Sequence, residues 1–216
     1  MPLQNRVNPF GELFRTDERG TMMGNRGGVL HNGHREIVSH FKNRRWITCV
    51  LAFKGRQRVV MSEGFYTELF FLDEAVAFGA GHRPCAECRR ARFNAFRDAW
   101  QKRSGLDRRP MADEMDMELH AARLEGKRTK VTYDAALRAL PDGTFIEVGG
   151  SAYLLWKGAQ LLWSADGYGR REMRSKDEIV RVLTPRPIVE CFEQGYEPAV
   201  HETATRWTET VGAASV

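Results

Sequence analysis

LDEAVAFGAGHRPCAECRR, residues 72–90, is the stretch that decides how this chain is read. Its apolar first half suits a helix or a strand-to-helix passage beginning near residue 66. Gly79 and Gly81 are natural C-terminal stops for it. Pro84 then leads into Cys85 and Cys88. Two cysteines at this spacing are a metal clip, a redox couple or a coincidence. A turn that holds both sulfurs on one side supplies half of a tetrahedral zinc site. Arg83, Arg89 and Arg90 would favour the thiolate form that binds metal. A redox pair needs the same spacing, beside a strand and at a helix start, and usually carries proline between or after the cysteines. Here proline precedes the first.

Downstream, RRARFNAFRDAWQKR (89–103) places Phe93, Phe96 and Trp100 on one helical face. ADEMDMELHAARLEG (112–126) reads as a second amphipathic helix with acids in its first turn, and TYDAALRAL (132–140) as a third. Leu140-Pro141-Asp142-Gly143 is a turn signal. Beyond it the pattern becomes β, with TFIEV, SAYLLW, QLLWS and IVRVL, before a last short helix in IVECFEQGY. Upstream, RWITCVLAF (45–53) alternates, KGR (54–56) reads as a turn and QRVVM (57–61) as a return strand. Residues 34–44 read as a short helix. GTMMGNRGGVLHNGHR (20–35) has five glycines in sixteen residues and reads as an irregular loop. It lacks the Gly-Lys-Ser/Thr of a phosphate loop.

The 66–92 stretch resembles one half of the zinc site of the Ada-type alkylation-repair metal-binding domain. That family carries the pattern Ala-x-x-Ala-Gly-aromatic-Arg-Pro-Cys-x-x-Cys. Ala77, Ala80, Gly81, Arg83, Pro84, Cys85 and Cys88 match it, with His82 in the aromatic position. The resemblance implies zinc at Cys85 and Cys88. The family's second ligand pair lies upstream, where this chain reads GRQRVVM (55–61), without Cys or His. Methyl transfer to a cysteine is therefore not carried over.

Zinc needs about four ligands. The nearest upstream candidates are His31, His34, His40 and Cys49, with His82 adjacent. His31 is the first choice, because its loop is irregular enough to fold over the cysteine turn. Cys49 is the second, although its place in the Ile47/Leu51/Phe53 alternation also suits a small core residue. Cys191 reads as core. No Ser-His-Asp order, Gly-x-Ser-x-Gly, His-Glu-x-x-His or spaced carboxylate pair is present.

The net charge of +5 is uneven. Residues 1–60 hold 11 Lys/Arg against 4 Asp/Glu, a bias that suits a polyanionic partner. Arg35, Arg44, Arg45, Arg56 and Arg58, with Arg83, Arg89 and Arg90, are the expected phosphate contacts, and RRW beside Phe41 adds stacking chemistry. DNA and RNA are not distinguished. No known helix-turn-helix or zinc-finger spacing occurs. Four cysteines are too few for a disulfide scaffold, no apolar run approaches a membrane span, and the N-terminus lacks a signal-peptide core. A cytoplasmic protein is expected.

The expected fold is α+β. A zinc-clipped hairpin-and-helix unit within residues 1–140 would be followed by a small antiparallel sheet or barrel at 141–216. The expected function is a zinc-stabilised nucleic-acid-binding protein. The alternative is a zinc-dependent hydrolase or nucleic-acid-modifying enzyme with an open metal position, using Glu87 or His120 as proton carrier.

Overall fold

A computed structural model describes residues 1–57, 59–173 and 177–206. The chain opens with β1 (Arg6–Val7), β2 (Leu13–Phe14), β3 (Met22–Arg26), β4 (Trp46–Cys49) and β5 (Leu69–Phe71). Helix α1 (Glu74–Gly79) leads into β6 (Arg83–Pro84), followed by α2 (Arg90–Ser104) and α3 (Ala112–Arg123). A small hairpin, β7 (Leu124–Glu125) and β8 (Thr129–Lys130), comes next. The remainder is β9 (Tyr133–Ala136), β10 (Phe145–Val148), β11 (Ser151–Trp156), β12 (Ala159–Ser164), β13 (Gly167–Met173), β14 (Ile179–Val182), α4 (Arg186–Glu193) and α5 (Glu202–Thr205).

The class is α+β, with two six-stranded sheets. The first has the order β2-β1-β5-β3-β4-β6, with β1/β5 and β4/β6 parallel and the other pairs antiparallel. The second, β13-β12-β11-β10-β14-β9, is antiparallel throughout. It contains the four strands expected after residue 141, and gains β9 from before that point and β13, which begins in the DGYG stretch read as a divider.

Helix α1 is the piece both regions share. Its six residues are all buried, as a helix apolar all round requires. One core runs from Val7, Leu69 and Phe71 through Ala75–Ala77 to Phe145, Leu154, Leu161 and Tyr168. The change of pattern near residue 141 is thus a change of element type, and the apolar side chains on its two sides pack together. A second cluster joins the Phe93/Phe96/Trp100 stripe of α2 to Met115 and Leu119 of α3 and to Ile188, Cys191 and Phe192 of α4.

Four local expectations are corrected. The glycine-rich stretch contains a strand, β3, and its glycines serve packing. A Cβ on Gly24 would lie 2.2 Å from the Ile47 carbonyl oxygen and 2.9 Å from Phe71, so only glycine fits between the neighbouring strands. Residues 34–44 form no helix. The Asn32 side chain accepts from the His34 and Glu36 N–H groups, both at 3.0 Å, and Arg35 has φ +60°; an Asn side chain competing for backbone donors favours such a turn. KGR does turn the chain, but β4 pairs with β3 and β6, and no strand is assigned to the described residues of 57–61. Finally, 132–140 is β9 plus a short 3-10 turn. Pairing of Tyr133–Ala136 along β14 overrides the helix propensity of its alanines.

Asp73 starts α1. Its carboxylate accepts from Val76 N–H (2.8 Å), His201 N–H (2.8 Å) and Tyr168 Oη (2.8 Å). Burial nevertheless pushes its pKa up to about 6, against the pull of those donors. An unfolded aspartate titrates near pH 4. Between about pH 4 and 6 the folded state therefore binds the extra proton, and this group's contribution to stability falls as pH rises through that window. Urea unfolding at pH 4.5 and 6.5 is expected to show it. The stability of the wild type relative to Asp73→Asn should drop by roughly 2 kcal/mol between those two pH values. An unchanged or rising difference would contradict the buried-carboxyl assignment.

Candidate metal centre

The centre is built by the parallel pairing of β4 and β6. Ile47 lies beside Arg83 and Thr48 beside Pro84, so the next step along both strands sets Cys49 next to Cys85. The Cys85 N–H closes this step on the Thr48 carbonyl at 2.9 Å. Three local features steer β6 into place. Gly81 ends α1 with φ +85° and lets the chain reverse. A Cβ there would also come within 2.7 Å of Arg123. His82 is fully buried, its ring 5.1 Å from Trp46 and 4.7 Å from Phe71. Arg83 reaches α3 in a bidentate pair with Asp116, at 2.8 and 2.6 Å.

The turn after Cys85 is fastened next. The Arg89 N–H donates to the Cys85 carbonyl at 3.2 Å. Its guanidinium spans to Thr48 Oγ1 at 2.9 Å and to the fully buried Glu74 at 2.8 Å. Glu74 also accepts from Arg92, the Tyr196 hydroxyl and the Ala199 N–H. The turn carrying Cys88 is thereby tied to both β4 and α1.

The result is a cluster in which the Sγ atoms of Cys49, Cys85 and Cys88 all lie within 4.8 Å of one another. Cys49 and Cys85 are buried and Cys88 is half-buried. That is close enough to bind a metal ion. Thiolates on a tetrahedral ion with ~2.3 Å metal–sulfur bonds sit roughly 3.8 Å apart. The sulfurs also share protons unequally. Cys85 is pulled down to about 5, first by the Cys49 thiol donating to it and then by backbone N–H groups of Cys88 and Glu87. The Glu87 N–H lies 3.4 Å from Cys85 Sγ. Cys49 is correspondingly pushed far up, by its bond to Cys85 and by burial. Burial also raises Cys88. The site thus holds one thiolate readily, and its donors face the anionic sulfur.

Cys49, Cys85 and Cys88, named as ligand candidates from the sequence, are brought together. His31 is placed elsewhere. Its Nδ1 bonds Thr67 Oγ1 at 2.7 Å and its Nε2 the Ser62 carbonyl at 3.2 Å, so both ring nitrogens are occupied. Cys191 is core, as expected. Arg83 and Arg89 are not surface cations: each is buried and committed to a carboxylate. Nor do they supply the thiolate bias, which comes from Cys49 and the turn's own amides. Arg35, Arg44, Arg45, Arg56 and Arg90 are exposed; Arg58 lies outside the described residues. Arg45 pairs with Asp113 at 3.3 Å, and Arg56 with Glu87 at 3.1 Å.

Asp116, Glu74 and Thr48 were missed. The signal for Asp116 was present: it lies on the Met115/Leu119 face of α3, where a carboxylate needs a buried cation. Asp116→Ala would leave Arg83 charged and unpaired inside the protein. The expected loss is about 3–5 kcal/mol in urea unfolding, whereas Arg90→Gln on the exposed start of α2 should stay within about 0.5 kcal/mol. Equal effects would show that the Arg83–Asp116 pair does not hold β6. Searches against protein-family models, curated proteins and solved structures returned no match to this chain.

Proposed function

We propose that this chain is a zinc-binding protein in which Cys49, Cys85 and Cys88 hold one Zn²⁺, and that the basic surface beside the centre binds nucleic acid. The observation that carries the reading is the convergence, within 4.8 Å of one another, of three sulfurs from the end of β4 and the turn that follows β6. An all-sulfur donor set suits zinc among the common divalent ions. The Ada-like half-site resemblance of residues 66–92 belongs to the same reading, with Cys49 supplying a third sulfur from a position the family pattern does not predict.

The nucleic-acid part rests on what surrounds the turn. Glu87, between the two turn cysteines, is paired with Arg56 (3.1 Å) and Lys54 (3.8 Å), which fastens the 51–57 segment to the centre. Lys54 and Arg56 flank the Phe53 ring, at 5.1 and 5.4 Å from its centroid, and Leu51 and Phe65 are exposed. Lys42, Arg44 and Arg45 add a second exposed basic run. Cationic and apolar side chains together on one surface are what phosphate contact and base stacking need.

Ligand count favours a second reading. Three protein ligands are what catalytic zinc keeps, with the fourth position left to water or substrate. Glu87 is then the nearer of the two expected proton carriers. His120 packs against Phe41 and Arg123 and is not among the residues converging on the sulfurs.

Metal content separates these readings. Protein purified without added metal is expected to carry about one zinc per chain, and Cys85→Ser to carry none. Unfolding of the variant would mark the ion as structural, retention of the fold would mark it as catalytic, and a metal-free wild type would defeat the zinc assignment. For the nucleic-acid arm, affinity for a generic duplex or single strand should fall steeply with salt. The combined variant Arg44→Gln/Arg45→Gln/Arg56→Gln should flatten that slope by about two to three contacts. A salt-independent affinity would remove the phosphate-contact part of the proposal.

A further inference from the structure

A second cluster of charges lies at the other end of β4, and nothing in the metal reading uses it. Arg26 on β3 is fully buried and Arg123 at the end of α3 nearly so. Both guanidiniums lie over the Trp46 ring, 4.0 and 4.1 Å from its centroid. The ammonium of Lys130, on β8, belongs to the same group. The hydrogen bonds these cations make go to neutral acceptors. Arg26 donates to the Gly11 carbonyl (2.8 Å) and His82 Nε2 (3.4 Å), and lies 3.0 Å from His40 Nε2. Arg123 donates to the carbonyls of Gly81 (2.8 Å) and Arg44 (2.6 Å) and contacts His120 Nδ1 (3.3 Å). Lys130 donates to the Gly79 carbonyl at 2.6 Å.

Carbonyl oxygens satisfy protons without cancelling charge. Asp116, the nearest buried acid, is held in its bidentate pair with Arg83. Among the described residues none of the three cations forms an ion pair. Burial depresses all three, Lys130 to about 7 and Arg123 to about 9; the neighbouring guanidiniums add to it at Lys130 and Arg26, and at Arg123 Asp116 opposes it only in part. Desolvating like charges side by side is costly. An anion bound among them would reverse much of that cost.

A place for the anion is present. A cavity of about 40 Å³ is lined by His40, Trp46, Arg123 and Lys130, with Arg128 and Glu12 at exposed positions. A single water needs roughly 10–15 Å³ by the same measure, so the space suits one small oxyanion and excludes a nucleoside. Two buried donors of its lining residues, Trp46 Nε1 and Arg123 Nε, have no acceptor among the described residues. His40 is driven down to about 4 by burial, Arg26 and Arg128. It is therefore neutral near pH 7, with Nε2 facing Arg26 and Nδ1–H left as a donor. Glu12 is the one acid in the lining, and its carboxylate is engaged by the Asn8 amide at 2.8 Å.

We propose that this cavity is a binding site for a phosphate-class oxyanion, held by Lys130 and Arg123 with Arg128 at its rim. The charge and the unpaired donors specify the group, and the volume restricts it to one. That group is either free inorganic phosphate or the terminal phosphate of a nucleic-acid strand. The site uses none of the three cysteines, so it stands or falls independently of the zinc assignment.

The test is thermal unfolding of the full chain in inorganic phosphate against chloride at matched ionic strength, with competition by an oligonucleotide carrying a 5′-phosphate or a 5′-hydroxyl. The wild type is expected to gain several degrees in phosphate. Lys130→Met should lose that gain, and in chloride should unfold no earlier than the wild type, since it removes a destabilised buried charge. Arg128→Gln, at an exposed position that leaves the fold untouched, should weaken the phosphate response several-fold. A response to inorganic phosphate identifies the free ion, and one confined to the 5′-phosphorylated strand identifies the terminal group; both support the site. Coincident curves in phosphate and chloride together with no preference for the 5′-phosphate would overturn it. So would a phosphate response that survives unchanged in both variants.

Discussion

The cysteine cluster depends on a two-residue strand held parallel against a four-residue one. β6 is too short to hold its register by ladder hydrogen bonds alone. Its position is set by side chains that leave the sheet: Arg83 to Asp116 on α3, and Arg89 to Thr48 on β4 and Glu74 on α1. Each contact costs the desolvation of an ion pair and returns a fixed geometry. A displaced β6 would separate Cys85 from Cys49, so the ability to gather three sulfurs is a property of the surrounding ion pairs as much as of the cysteines. The same reasoning explains Gly81. The chain must reverse within three residues between α1 and β6, and Arg123 fills the space where a Cβ on Gly81 would stand.

Helix α1 is short and has no exposed face, so its ends carry the polar work. Asp73 closes one end and ties it to Tyr168 and His201 of the C-terminal region. Glu74 gathers Arg89, Arg92, Tyr196 and Ala199. Two adjacent acids thus connect the cysteine turn, the second sheet and the chain following α4. Both are buried carboxylates with several donors, an arrangement that specifies one geometry sharply because partial satisfaction is penalised.

How much of this was legible follows from the range of the interactions. The cysteine turn, α2, α3, α4 and the strands β10, β11, β12 and β14 show in local periodicity, and they are present; β13, whose start reads as a DGYG divider, does not show. β3 and β9 do not show. One is a glycine-rich central strand whose small residues answer to Ile47 and Phe71 on its neighbours, and the other is an alanine-containing edge strand fixed by β14. The ligand set divides the same way. Cys85 and Cys88 are visible from spacing. From sequence His31 ranks ahead of Cys49, and the order is reversed because the β4/β6 register brings Cys49 to the turn. Arg83 and Arg89 illustrate the remaining difficulty: an arginine beside a cysteine reads as a phosphate contact until the distant carboxylate that claims it is known.

The cations of residues 1–140 therefore fall into three populations that composition alone merges into one positive charge. Arg83 and Arg89 are buried and paired, and fix the cysteine turn. Arg44, Arg45 and Arg56 are exposed and partly paired, and shape the surface potential. Arg26 and Arg123 are buried and Lys130 is half-buried beside them, without an ion pair among the described residues, and together they concentrate positive potential at one point. The first and third populations meet at Arg123, which stacks on Trp46 at the start of β4 and senses Asp116 through space. β4 accordingly has sulfur chemistry at its C-terminal end and cationic chemistry at its N-terminal end. The four residues of β4, held on both sides by neighbouring strands, fix the separation of the two.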